Sequence, residues 1–192
     1  PHMGVLWGRR ERLEALPVAW ELGGHPSSLL DKTDYLAPSG GVPSDLPLIV
    51  EARRKGIAIT NDSQLFLEAT PATVIGITGS SGKTTTTTLV GRMLRHMDDA
   101  TVWIGGNIGH PLISDLDQMK PGDLAVMELS SFQLEWMTRS PQVAALLNLA
   151  PNHLDRHKTM AEYAAAKAHI FDFQSEEDVA VVGREDLGAW SL

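Results

Sequence analysis

Gly76-Ile77-Thr78-Gly79-Ser80-Ser81-Gly82-Lys83-Thr84-Thr85-Thr86 is the stretch on which the reading of this chain turns. The apolar run Thr73 to Ile77 enters it like a buried strand. A helical pattern leaves it, with Leu89, Val90, Met93, Leu94 and Met97 expected on one stripe. Strand, glycine loop and helix in that order are the context of a phosphate-binding loop. Glycines let backbone N–H groups turn inward around an anion, and the helix behind points its positive end at the same place. Lys83 adds a mobile positive charge, and the Thr84 hydroxyl is placed to hold Mg²⁺. The expected nucleotide-contacting residues are therefore Gly79, Ser80, Ser81, Gly82, Lys83, Thr84 and Thr85. The full Walker pattern wants a glycine where Ile77 stands, so the match is to the shorter T-G-x-x-G-K-T. The competing reading is a Gly/Ser turn capping an ordinary helix.

Working outward, candidate strands are Val74–Thr78, Val102–Gly105, Leu124–Glu128, Val143–Leu149 and Val179–Val182, with helical segments between them. Nearly continuous apolar strands alternating with helices predict an α/β fold with a mainly parallel, doubly wound sheet. Residues 1–69 read differently. Short apolar runs there are broken by turns, with a helix from Leu46 to Lys55 ended by Gly56 and a strand at Ile57-Ala58-Ile59. The expected organisation is a partial Rossmann-like unit over 1–69 and a nucleotide-binding unit over 70–192.

Parallel sheets present ligands at the carboxyl ends of their strands. The unusual polar residues all fall there: the glycine loop, Gly105-Gly106-Asn107, Glu128-Leu129-Ser130-Ser131, Asn148 and Asn152-His153. Glu128, at the end of a buried run, is placed to ligate Mg²⁺ or to cap the next helix. His153 sits in a loop after a core strand, as a ligand contact or a structural histidine. The neighbouring Asp155-Arg156-His157 reads as a solvated loop. Thr159 and Glu162 form a capping-box pattern. The helix that follows puts Met160, Tyr163 and Ala164 on the same face as Lys167. An inward lysine is costly unless paired, and burial lowers its pKa; otherwise the head snorkels to water.

Composition excludes several classes. The chain has 192 residues, 43% hydrophobic and 21% charged, with a net charge of −8 and no cysteine. No disulfide framework or thiolate site exists, and no basic stripe favours nucleic acid. No apolar run is long enough to span a bilayer. The expectation is a cytoplasmic monomer that binds neither nucleic acid nor membrane. Pro1-His2-Met3 reads as a cloning scar.

Taken together, Thr78-Gly79-Ser80-Ser81-Gly82-Lys83-Thr84, Gly105-Gly106-Asn107-Ile108-Gly109, Glu128-Leu129-Ser130-Ser131-Phe132-Gln133-Leu134-Glu135, His153-Leu154-Asp155-Arg156-His157 and Tyr163-Ala164-Ala165-Ala166-Lys167 resemble the Mur ligase family, in particular its D-glutamate-adding branch. The resemblance is strong from Val74 to Phe171. It implies ATP and Mg²⁺ as cofactors, and UDP-N-acetylmuramoyl-L-alanine and D-glutamate as substrates joined through an acyl phosphate in peptidoglycan precursor synthesis. It implies Lys83, His153 and Lys167 as catalytic residues, and Thr84, Glu128, His153 and Lys167 at the metals, the lysine as a carbamate. It implies Asn107, Ser130 and Ser131 as substrate contacts, and a UDP-substrate-binding role for 1–69. Asn152 stands where the family usually has Asp. The family's central domain runs past Val179–Val182 and a ligase domain follows it. The expectation is that this C-terminal domain is absent here and that the chain alone does not complete ligation. Another Mur ligase, a folylpolyglutamate synthase and a non-catalytic nucleotide-binding module are the alternatives.

Overall fold

The computed structural model describes residues 24–39, 42–96, 100–151 and 157–192. The chain forms two compact units that divide between Asn61 and Asp62. The division falls ahead of the expected 69/70 boundary because Asp62–Ala69 is a helix whose Phe66 and Leu67 are buried in the second unit's core.

In the first unit, β1 (Tyr35–Leu36) and β2 (Ala58–Ile59) pair in parallel. The crossover between them contains α1 (Pro47–Arg54). Proline opens this helix, where its missing N–H costs nothing. At the other end Gly56 N–H donates to Arg53 O and Ile57 N–H to Ala52 O, a Schellman closure. Leu30, Leu48 and Ala52 form the small core, with Leu36, Leu46 and Ile57 against it.

The second unit begins with α2 (Asp62–Ala69) and is built on five parallel strands. These are β3 (Thr73–Thr78), β4 (Val102–Gly106), β5 (Leu124–Glu128), β6 (Val143–Leu146) and β7 (Val179–Val182), in the order β4-β5-β3-β6-β7. The helices are α3 (Lys83–Leu94), α4 (Ser131–Leu134), α5 (Met160–Ala168) and α6 (Leu187–Trp190). Alternate strand residues feed two cores, one on each face of the sheet. Val74, Ala125, Met127 and Ala144 pack with Phe66, Leu112, Leu134 and Ile170. Ile77, Val102 and Val126 pack with Val90 and Leu94 of α3. Both faces being covered explains why the strands read as apolar runs.

Two expectations change. The α3 stripe is not Leu89 and Met93, which are 54% and 70% exposed. The buried face carries Thr87, Val90, Gly91 and Leu94, a 3.6-residue period hidden by a threonine and a glycine. Gly91 lets α3 approach β4 closely, because a Cβ there would overlap the end of the Ile104 side chain. Met97 of the expected stripe lies outside the described residues. The strand expected to reach Leu149 ends at Leu146, although Leu147 N–H still donates to Thr78 O and Ser80 N–H to Asn148 O. Among the described residues no helix is long and apolar enough to cross a membrane.

Candidate functional site

β3 is the central strand, and its carboxyl end opens into the loop 79–82. Gly82 caps α3 in the left-handed region, with φ of 79°. That conformation is open to glycine and strained for other residues. It turns the chain so that α3 starts directly under the loop. Helix geometry leaves the first N–H groups without intrahelical acceptors. Among the described residues no protein acceptor takes the N–H of Gly82, Lys83, Thr84 or Thr85. Four donors and the positive end of a three-turn helix therefore face the loop's mouth, an arrangement suited to phosphate.

Glu128 ends β5, the neighbour of β3, and is 2% exposed. Thr84 Oγ1 donates to Glu128 Oε2 at 2.7 Å, and Asn107 Nδ2 donates to Glu128 Oε1 at 3.0 Å. Asn107 is itself held by its backbone N–H on Glu128 O at 2.9 Å. A carboxylate and a hydroxyl in contact, each with further lone pairs, form an oxygen donor set of the kind Mg²⁺ takes. Asn107, expected at the substrate, here orients the carboxylate.

On the other side of the loop two lysine amino groups meet one carbonyl. Lys83 Nζ donates to Gly79 O at 3.0 Å. Lys167 Nζ donates to the same oxygen at 3.1 Å and to Thr78 Oγ1 at 3.1 Å. Lys167 is 1% exposed, so it does not snorkel. Burial, and then the charge of Lys83, lowers its pKa to about 7. The Tyr163 ring lies 4.9 Å from its Nζ and favours the charged form, against that trend. Thr159 caps α5 by accepting from Glu162 N–H at 3.1 Å, which fixes the phase that turns Tyr163 and Lys167 inward. Burial also raises the Tyr163 pKa.

Ser130 caps α4 through a reciprocal capping box with Gln133. Ser131 Oγ lies 2.9 Å from His157 Nε2. His157 was expected in a solvated loop, yet it is buried, stacked on Phe132 with ring centroids 5.3 Å apart. The signal that would have found it is tertiary: its partners Ser131 and Phe132 are remote in sequence. His153, with Asn152, Asp155 and Arg156, lies outside the described residues. Among the described residues no cluster of three or more His, Asp or Glu forms a metal site.

A model of the Mur ligase middle domain matches residues 77–190. A UDP-N-acetylmuramoylalanine--D-glutamate ligase of Acetivibrio thermocellus is 44% identical over 172 residues, which cover 90% of this chain and 37% of that protein. The enzyme of the same name from Clostridium botulinum strain Kyoto is 44% identical over 174 residues, 91% of this chain and 38% of its own. The chain thus spans well under half the length of these relatives. Among solved structures, MurF from Acinetobacter baumannii matches with a TM-score of 0.51 at 27% identity, over 65% of this chain and 29% of that one.

Proposed function

The chain belongs to the Mur ligase family, and from that premise we propose that it carries the carboxylate-activating site of an ATP-dependent ligase that joins D-glutamate to UDP-N-acetylmuramoyl-L-alanine. The observation that carries the reading is the convergence of Lys83, Lys167, Thr84, Glu128 and Asn107 on one loop at the carboxyl edge of β3 and β5. The 44% identity to ligases named for this reaction favours it over other members of the family.

In this reading the amides of Gly82 to Thr85 and the Lys83 ammonium bind the terminal phosphates of ATP. Lys83, which donates to the Gly79 carbonyl at the loop, is within reach of a phosphate oxygen bound there. Thr84 and Glu128 hold Mg²⁺, which when bound spreads charge from the transferring phosphoryl group. The substrate carboxylate attacks the γ-phosphorus and ADP leaves. The amine of D-glutamate then displaces phosphate from the acyl phosphate. Asn107 keeps the Glu128 carboxylate turned toward Thr84. Ser130 and Ser131 shape the turn beyond Glu128, at the substrate side.

Lys167 fits the carbamate role by its chemistry. An amine with a pKa near 7 is substantially neutral at physiological pH. Its lone pair adds to CO₂, a proton leaves, and an anionic oxygen donor replaces a buried neutral amine. With His153 it would serve a second metal. The first unit is assigned to the UDP-substrate and the second to ATP, in the cytoplasm.

The test is equilibrium binding of ATP with Mg²⁺ to the chain and to Lys83→Ala. Loss of about 100-fold or more in affinity is expected from removing a charge-assisted contact to phosphate. Equal affinity of the two chains would remove the loop from the function. In the whole enzyme, ADP release that depends on UDP-N-acetylmuramoyl-L-alanine separates this ligase from a nucleotide-binding module.

A further inference from the structure

The glycine loop has two halves with opposite hydrogen-bond states, and one residue just beyond β6, Asn148, makes the difference. Ser80 N–H donates to Asn148 O at 3.0 Å, which extends the β3–β6 ladder into the loop. Ser81 N–H donates to Asn148 Oδ1 at 2.9 Å, and Asn148 Nδ2 donates back to Ser81 O at 3.1 Å. The carboxamide thus closes a ring on the backbone of one residue. A flipped amide would set oxygen against oxygen and nitrogen against nitrogen, so the orientation is fixed by the partners. Ser80 Oγ donates to Ala150 O and accepts from Ala150 N–H, both at 2.9 Å. It also lies 3.1 Å from the Tyr163 hydroxyl of α5.

We infer that Asn148 is a positioning residue of the nucleotide site: it fixes the loop's first arm, takes the Ser80 and Ser81 amides out of phosphate recognition, and leaves the amides of Gly82 to Thr85 as the anion cradle. The inference rests on the nucleotide reading above and deepens it. A loop of glycines and serines has many conformations of similar energy. Binding an anion would otherwise have to order all of them, at a cost in conformational entropy. Asn148 lowers that cost by holding Ser80 through its backbone carbonyl and Ser81 through its carboxamide before any ligand arrives. A lysine or arginine in its place would add charge but could not both accept from an N–H and donate to a carbonyl.

The same geometry divides the expected nucleotide contacts. Ser80 and Ser81 are structural through their backbone, with the Ser80 hydroxyl tied to Ala150, whereas Gly82, Lys83, Thr84 and Thr85 meet the ligand. It also makes the segment after β6 part of the loop's mounting, because Asn148 and Ala150 hold it from one side and Tyr163 from the other.

Amide hydrogen exchange on the wild-type chain, read with and without ADP, tests the division. Ser80 and Ser81 should be protected in the free chain and little changed by ADP. Gly82 to Thr85 should exchange rapidly when free and become protected with ADP. A Ser81 amide as labile as Gly82 in the free chain would overturn the inference. Asn148→Ala, measured by ATP binding and by thermal melting, should lose about tenfold or more in affinity as the loop's ordering cost moves to the binding step. A merely structural role would lower the melting temperature and leave the affinity of the folded chain unchanged, which also overturns the inference. Wild-type binding that depends on Lys83, with Asn148→Ala binding equally well, sinks this inference alone. A wild-type chain that binds no nucleotide sinks the nucleotide reading with it.

Discussion

On the β5 side of the glycine loop oxygen atoms face one another, those of the Glu128 carboxylate and the Thr84 hydroxyl, with the Asn107 Nδ2 steadying the carboxylate. On the β6 and α5 side nitrogen atoms do, with Lys83 and Lys167 both on the Gly79 carbonyl. The two sides solve different problems. A buried carboxylate is kept in place by neutral donors, which leaves its charge for a cation. Two lysine amino groups share one neutral oxygen, which leaves the Lys83 charge for an anion and keeps Lys167, its pKa lowered to about 7, available as a neutral amine. A metal–phosphate ligand needs both, next to each other and in that order.

Glu128→Gln should break the oxygen side while sparing the nitrogen side. The amide is nearly isosteric and keeps an acceptor for Asn107, but it carries no charge. Titration of ATP with Mg²⁺ should show affinity falling by about 100-fold, the upper end of what disturbing a metal ligand's support costs. Without Mg²⁺ the sign should reverse, because the carboxylate then repels phosphate and its loss leaves binding equal or tighter. If the substitution weakens metal-free and metal-bound ATP alike, the carboxylate is structural and the contrast between the sides is lost.

The nitrogen side is marked by its proton balance. Lys167 is charged in the unfolded chain up to about pH 10.4 and loses its proton near pH 7 when folded. Between those values the unfolded state binds more protons, so stability rises with pH through that window. Below about pH 7 both states are protonated and the full cost of burying the charge is present. In buffer free of CO₂, urea unfolding should show a contribution of up to about 1.4 kcal/mol per pH unit from this group. Lys167→Met should lack it. A stability difference between the two chains that does not change from pH 7 to 9.5 would show that the ammonium stays charged when buried.

Much of this arrangement is legible in the chain before folding. The five strands are legible because a sheet covered on both faces writes itself as apolar runs, and the site follows from where those runs stop. Lys167 is legible because Thr159 sets the phase of its helix. What escapes the sequence is whatever depends on close approach or on remote partners. The α3 face is misread because its contact with β4 uses a glycine, and apolar Leu89 and Met93 point away. Buried His157 has no local pattern, and Asn107 reads as a free amide until Glu128 is placed beside it. The split of the loop into a held arm and an open cradle needs Asn148, which lies far along the chain from Ser81.

The close approach of α3 to β4 and β5 is what lets Thr84 reach Glu128, so Gly91→Ala should strain the oxygen side. The added methyl meets the flexible end of Ile104, which must turn away. Overpacking costs about 1–3 kcal/mol, offset by about 1 kcal/mol of helix propensity. A net loss on the order of 1 kcal/mol is expected in chemical unfolding, with the larger functional effect on Mg²⁺-dependent ATP binding. The Ser81 amide should keep its protection, since Asn148 is on the other side. Loss of that protection would mean that the two sides move as one.

The smallest effect concerns the core behind the loop. Thr87 is fully buried one turn into α3, and its hydroxyl has no hydrogen-bond partner among the described residues. It shares a face with Val90 and Leu94, in the core behind the loop. An unpaired buried hydroxyl is a standing cost, and valine fills the same space without it. Thr87→Val should therefore leave stability unchanged or raise it by up to about 1 kcal/mol, with nucleotide affinity unaltered. If the valine chain is instead less stable by a similar amount, the hydroxyl has a partner such as water.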